Sequence, residues 1–300
     1  MSPEYLILGA SSYFGSRVYR KLGAQTALGT YCRNKVGGAV RFDALRDDPA
    51  LLLDSAPGLK YALIMFAEAE IDACALEYAE SRALNVDATI NVLRLLMERN
   101  IKPIFISTDT VFDGESGMRK ESDPAEPILT YGKFKLEVED FLHSFGSSYV
   151  VARVAKLIDR KLEGKSLFGG WLWDLKKGRK IRCAKDQMLS LVDMDDAVEA
   201  LLRLAEAEHE GVFHIGGPKP WNRAELFDVF LDEMKRQDDQ FFGDCEVCSI
   251  RDFTGFVEPR PFDTSMVSAK LWEATGFTPR DIRETCREFA KIVYSKYMKP

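Results

Sequence analysis

The feature that most constrains this chain is the alternation of short apolar runs with helical patterns along its first half. Runs of strand length lie at 5–8, 27–31, 61–66, 103–106 and 149–154, with a weaker one at 40–42. Between them, 14–22, 83–99 and 133–145 carry helical periodicity, clearest at Leu84, Ala88, Val92, Leu95 and Leu96. Strands alternating with helices predict a parallel sheet covered on both faces, so the fold class is α/β and doubly wound. The second half is less regular. It offers helices at 194–207, 223–235 and 281–297 and a strand at 212–215, while 240–264 has no legible period. This predicts a smaller C-terminal α/β domain. The expected division is 1–154 plus about 184–208 for the first domain, and about 155–183 plus 209–300 for the second.

Composition narrows the function classes. With 300 residues, 46% hydrophobic and 29% charged, the chain has the make-up of a globular enzyme. A net charge of −6 and the absence of a basic run argue against nucleic acid as a partner. There is no apolar run of membrane-spanning length, and the N-terminal residues lack a basic leader, so a cytoplasmic location without membrane association is expected. Six cysteines do not make a disulfide framework. Cys245 and Cys248 form a C-x-x-C, but only His143, His209 and His214 could complete a site, and no metal is expected.

Gly9, Ala10, Ser11, Ser12, Tyr13, Phe14 and Gly15 join the first strand to the first helix. A dinucleotide pyrophosphate docks at such a junction, where glycines let the backbone approach and the helix N-terminus supplies N–H donors. Ser12 stands where a G-x-x-G-x-x-G loop has glycine; it fits if φ stays negative, and its hydroxyl could bond a phosphate. After the second strand, Arg33 and Lys35 occupy the place of the acidic residue that holds an NAD ribose, which favours NADP(H) over NAD(H). Asp43 and Ala44, next to a short strand, would flank the adenine. Phe66 and Ala67 end the next strand beside the cofactor path, and Ser107 and Val154 end two later ones.

The chemistry points to Ser107-Thr108-Asp109 followed by Tyr131 and Lys135. Residues at i and i+4 share a helix face. Carbonyl reduction needs an acid for the developing alkoxide. Tyrosine can serve if a neighbouring ammonium lowers its pKa, and Lys135 is placed to do so while also holding a nicotinamide ribose. Thr108 would bond the substrate oxygen, and Asn85 would complete a proton path through water.

On these residues the chain resembles the extended short-chain dehydrogenase/reductases, and within them the dTDP-4-dehydrorhamnose reductase branch. The resemblance is carried by 9–15, Ala83-Leu-Asn-Val-Asp-Ala88, Ser107-Thr-Asp-Thr-Val-Phe-Asp-Gly114, Tyr131-Gly-Lys-Phe-Lys135 and Arg260-Pro-Phe-Asp-Thr-Ser265. It implies a Rossmann-type domain, a second domain for a nucleotide-linked sugar, and hydride delivery from NAD(P)H to a 4-keto group. Thr108, Tyr131 and Lys135 take the catalytic roles, with Asn85 in support. Asp109 and Arg260 fall on the substrate side, Arg260 near the diphosphate. The resemblance leaves a homodimer open.

Thr110 stands where sugar-nucleotide dehydratases carry glutamate, which argues against dehydration; Val111-Phe112 fits a reductase better than an epimerase. There are departures. Phe66-Ala-Glu-Ala-Glu-Ile-Asp72 lacks the usual small residues, so Glu68 and Glu70 are either solvated carboxylates or, for Glu68, a ligand contact. Lys156 stands where the family has a Thr-Ser-Trp run, and either meets substrate or points to solvent. Trp171 and Trp173 pack in a core or line a cleft. Three rival functions stay open: a cofactor-binding regulatory protein like the regulatory subunit of methionine adenosyltransferase, a sugar-nucleotide epimerase, and a reductase of a non-nucleotide ketone.

Overall fold

The computed structural model describes residues 2–146, 148–162, 166–207 and 209–297. In chain order the first elements are β1 (Tyr5–Leu8), α1 (Gly15–Leu22), β2 (Ala27–Tyr31), β3 (Val40–Arg41), α2 (Pro49–Asp54) and β4 (Tyr61–Ile64). Next come α3 (Ile71–Leu76), α4 (Tyr78–Arg82), a π-helical turn (Ala83–Ala88) and α5 (Thr89–Glu98). β5 (Lys102–Thr108), a 3-10 turn (Asp109–Val111), α6 (Thr130–Phe145) and β6 (Val150–Val154) follow. The remainder is β7 (Leu157–Ile158), α7 (Leu167–Lys176), β8 (Ile181–Ala184), β9 (Val192–Asp193), α8 (Met194–Glu206), β10 (Gly211–Ile215), α9 (Arg223–Lys235), β11 (Cys245–Cys248), α10 (Ala269–Thr275) and α11 (Ile282–Tyr297).

The chain forms two compact units. The first comprises Met1–Phe112, Pro124–Val154 and Val198–Phe213. Its sheet has the order β10-β6-β5-β4-β1-β2-β3, and the β1–β2, β1–β4, β2–β3, β4–β5 and β5–β6 pairs are parallel. This is the Rossmann-type α/β architecture. β1 and β6 are buried along their whole length, as strands covered on both faces must be. One face packs Leu6, Leu8, Ile64 and Phe105 against Val92, Leu96, Val138 and Leu142 of α5 and α6. Because the order reverses at β1, the C-terminal edge presents β5, β4, β1, β2 and β3 side by side. Ligands bind at such a switch point.

The second unit comprises Asp113–Asp123, Ala155–Ala197 and His214–Pro300. Its core is aromatic, with Phe168, Trp171, Phe227, Phe230 and Phe289 in mutual contact. Residues 184–197, grouped with the first domain on sequence, belong here. β8 pairs with β11, β9 pairs with β7, and Leu189 and Leu191 enter the aromatic core. β11 and the 3-10 turn Ile250–Asp252 lie in the stretch that had no legible period, and α7 was not anticipated. The two tryptophans divide: Trp171 is buried in the core, whereas Trp173 is exposed under the Lys177 ammonium. Among the described residues, no helix is long and apolar enough to cross a membrane, and no group of three or more His, Cys, Asp or Glu side chains could hold a metal ion.

Candidate active site

Gly9 leaves β1 at φ +98°, a backbone region that side chains disfavour, and a Cβ there would stand 2.7 Å from the Phe66 amide nitrogen. The β1 and β4 loops therefore touch, which only glycine permits. A Cβ on Gly15 would collide with the Gly9 carbonyl oxygen and stand 2.7 Å from Ser12 Oγ. Ser12, the departure from the glycine pattern, keeps a negative φ. Its hydroxyl accepts the Gly15 N–H at 3.0 Å, satisfying one orphan donor at the start of α1 and leaving its own proton to donate outward. The Ser11 and Phe14 amides find no acceptor among the described residues. Gly9 N–H donates to Thr30 Oγ1 at 3.0 Å, tying the loop to β2. The result is a cradle for an anion at a helix N-terminus.

A cavity of about 560 Å³ opens over this cradle, lined by Gly9, Ser11, Ser12, Thr30, Phe66, Ala67, Glu68 and Leu84 and by the loops after β2 and β3. Asp43 and Ala44 line it as expected. Asp43 is partly committed to its own turn, accepting the Leu45 N–H at 3.1 Å and facing Arg46 at 3.8 Å. Arg33 is exposed on the cavity wall. Sequence reading missed Arg41 and Arg46, which join it there because β3 lies beside β2. Tyr13 is exposed and Phe14, Gly15 and Val154 are buried, and none of the four lines the cavity.

α6 begins at Thr130, three residues earlier than its pattern suggested, so Tyr131 and Lys135 lie one helical turn apart. Gly132 explains how the helix docks. A Cβ there would collide with the Thr110 carbonyl oxygen, so the first turn of α6 rests directly on the Asp109–Val111 turn. That turn is shaped by Thr108, whose Oγ1 accepts the Thr110 N–H at 3.2 Å and lies 3.2 Å from Asp109 Oδ1 and 3.1 Å from Thr110 Oγ1. Lys135 is buried. Its Nζ donates to the Ile106 carbonyl at 2.8 Å, over the Phe105 ring and 5.6 Å from the centre of the Tyr131 ring.

The electrostatics differ from the sequence expectation. Tyr131 was expected to be lowered by Lys135. Instead its phenol is pushed up, first by burial, then by Cys74, Asp109 and Glu68. Lys135 directs its ammonium at a backbone carbonyl, and burial, with the Asp109 and Glu68 carboxylates behind it, prevails at the phenol. Burial lowers Lys135 itself to about 8, opposed by Cys74 and Glu139. Ser107 is also corrected: its hydroxyl is not on the cavity but donates to buried Glu139, which takes Arg153 bidentately, with Nη2 at 2.6 Å from Oε2 and Nε at 3.2 Å from Oε1. Alternation along β5 sends Ser107 and Thr108 to opposite faces.

Asn85 sits in the π-helical turn, a distortion frequent at functional sites. Its Oδ1 accepts the Glu68 N–H at 2.8 Å and its Nδ2 donates to the Glu68 carbonyl at 2.9 Å, while Cys74 Sγ reaches that carbonyl at 3.3 Å. Asn85 thus clamps the loop after β4. In the second unit, Lys156 is exposed, and Arg260 is half-buried against the Phe256 ring, donating to the Glu258 carbonyl at 2.9 Å. The signature around Arg260 has a structural task. Asp263 accepts the Ser265 hydroxyl at 2.6 Å, and Ser265 Oγ accepts the Met118 N–H at 2.8 Å, latching the 113–119 segment.

The reversed parallel sheet, the glycine cradle and the Tyr131–Lys135 pair on α6 are features of the extended short-chain dehydrogenase/reductase class. Residues 4–295 match the family model described as RmlD substrate binding domain, and the chain belongs to that family. A probable low-salt glycan biosynthesis reductase of Haloferax volcanii is 27% identical over 153 residues, 50% of this chain and 51% of that protein. A dTDP-4-dehydrorhamnose reductase of Sinorhizobium fredii is 25% identical over 194 residues, 62% of this chain and 60% of that protein. The chain thus spans between 51% and 60% of the length of these curated relatives. Among solved structures, a hypothetical dTDP-4-dehydrorhamnose reductase from Sulfolobus tokodaii superposes with a TM-score of 0.78 at 25% identity, over 93% of this chain and 98% of that one.

Proposed function

We propose that this protein is an NADPH-dependent reductase of a 4-keto group on a nucleotide-linked deoxysugar. The observation that carries the reading is the docking of α6 on the Thr108–Val111 turn, which brings Tyr131 and Lys135 to the edge that holds the glycine cradle. The cradle fits a dinucleotide: the Ser11 and Phe14 amides, which find no acceptor among the described residues, and the Ser12 hydroxyl suit a pyrophosphate. Arg33, with Arg41 and Arg46 beside it, suits the extra phosphate of NADPH. When bound, the nicotinamide supplies a hydride to the carbonyl carbon.

Tyr131 then donates its hydroxyl proton to the carbonyl oxygen, and Thr108 orients that oxygen. The raised Tyr131 phenol is fully protonated at neutral pH, the form in which it can donate. Lys135, at about 8, remains mostly an ammonium at neutral pH, one helical turn from Tyr131, where it would hold a nicotinamide ribose hydroxyl. Asp109, Lys156 and Arg260 are proposed on the substrate side, Arg260 for an anionic diphosphate. The test is NADPH consumption by the native protein with a panel of nucleotide-linked 4-keto sugars, with the reduced sugar identified. Turnover of none of them, with tight capture of a partner protein, would favour a regulatory role.

A further inference from the structure

Glu68 has no place in the proton-transfer scheme, yet it is the most tightly staged residue of its loop. Its peptide is gripped on both sides by the Asn85 amide, and its carbonyl also takes the Cys74 thiol. Its carboxylate is aimed by one further bond, from the Glu70 N–H to Oε1 at 2.9 Å. Oε2 has no partner among the described residues, and the side chain lines the dinucleotide cavity.

The strand order fixes which end of that cavity this is. Along the sheet edge, Thr108 ends β5, Glu68 follows β4, the glycine cradle follows β1, and Arg33 and Arg41 lie at β2 and β3. A dinucleotide with its pyrophosphate on the cradle lays one half toward the arginines and the other toward Glu68. The hydride donor has to lie beside the proton donor, so the nicotinamide takes the Glu68 side. The influence of Glu68 on the Tyr131 phenol is consistent with that side.

We infer that Glu68 sets the oxidation-state preference of the bound cofactor, holding the positively charged oxidised nicotinamide more tightly than the neutral reduced ring. The inference rests on the proposed dinucleotide function. It concerns binding equilibria only, and no bond is made or broken. A carboxylate near an anionic pyrophosphate weakens both forms of the cofactor alike. The ratio of their affinities therefore isolates the charge on the ring.

The experiment compares dissociation constants for NADP⁺ and NADPH by calorimetry in the native protein, Glu68→Gln, Glu68→Asp and Glu70→Gln. Gln keeps the shape and the acceptor for the Glu70 N–H. With two unit charges a few ångströms apart at a partly solvated site, Glu68→Gln raises the NADP⁺/NADPH ratio of dissociation constants roughly fivefold. Glu68→Asp and Glu70→Gln leave the ratio unchanged. A second readout needs no variant: salt screens the half-exposed carboxylate, so the native ratio rises with ionic strength. An unchanged ratio in Glu68→Gln, or a native ratio flat in salt, overturns the inference and leaves the reductase reading standing. If the native protein binds neither cofactor form, the reductase reading falls as well.

Discussion

Replacing Lys135 by methionine should make the protein more stable and less active. The ammonium is buried at the base of α6 with one backbone acceptor, the Ile106 carbonyl. Burial lowers it from an ordinary 10.5 to about 8. The folded state therefore releases this proton near pH 8 and the unfolded chain near 10.5. Between those values the unfolded chain binds more protons, so native stability rises with pH; below 8 the full penalty applies, about 3 kcal/mol. Methionine fills the same space without the charge, and loses a hydrogen bond worth about 1 kcal/mol. The net gain is about 2 kcal/mol at pH 7, falling close to zero by pH 9.5. Urea midpoints for both proteins at the two pH values measure it, since an unchanged slope makes the midpoint shift a stability change. A variant less stable than the native protein at pH 7, or equally favoured at both pH values, would refute the reasoning. A functional group held at the expense of stability is a common trade-off in active sites.

Gly132→Ala should push α6 off the Thr110 carbonyl, lowering turnover by about a hundredfold through misplacement of Tyr131, with stability reduced by about 1–3 kcal/mol; steady-state kinetics and melting together check it. Glu139→Gln strands the Arg153 guanidinium in a buried site and should cost about 3–5 kcal/mol in chemical denaturation. Arg33→Ala should weaken NADPH binding by about tenfold while leaving NADH unchanged, read by fluorescence titration of both cofactors.

What was legible in the sequence is what depends on local order. The strands of the first unit and its helices α1, α5 and α6 declare themselves through their apolar pattern, the short α2, α3 and α4 do not, and the glycine cradle shows through its position after β1. Tyr131 and Lys135 are found by helical spacing alone. What was illegible depends on which strands become neighbours. Arg41 and Arg46 reach the cavity because β3 lies beside β2, and Ser107 turns away because Glu139 and Arg153 form an ion pair behind β5. The Tyr131 environment was misjudged for the same reason, since Cys74, Asp109 and Glu68 arrive from three separate segments. The 240–264 stretch hid β11, a four-residue strand whose residues pair with β8 residues 64 positions away in the chain. Asn85 was expected to complete a proton path through water; its two bonds to the Glu68 peptide instead make it a loop clamp that no sequence spacing announces.

The central claim is that Tyr131 gives the proton that completes ketone reduction. The direct measurement is NADPH oxidation by Tyr131→Phe with a nucleotide-linked 4-keto sugar that the native protein reduces, alongside NADPH affinity in the same variant. The account predicts near-complete loss of oxidation with affinity almost unchanged, because only the phenolic hydroxyl is removed. Full activity in Tyr131→Phe would contradict it.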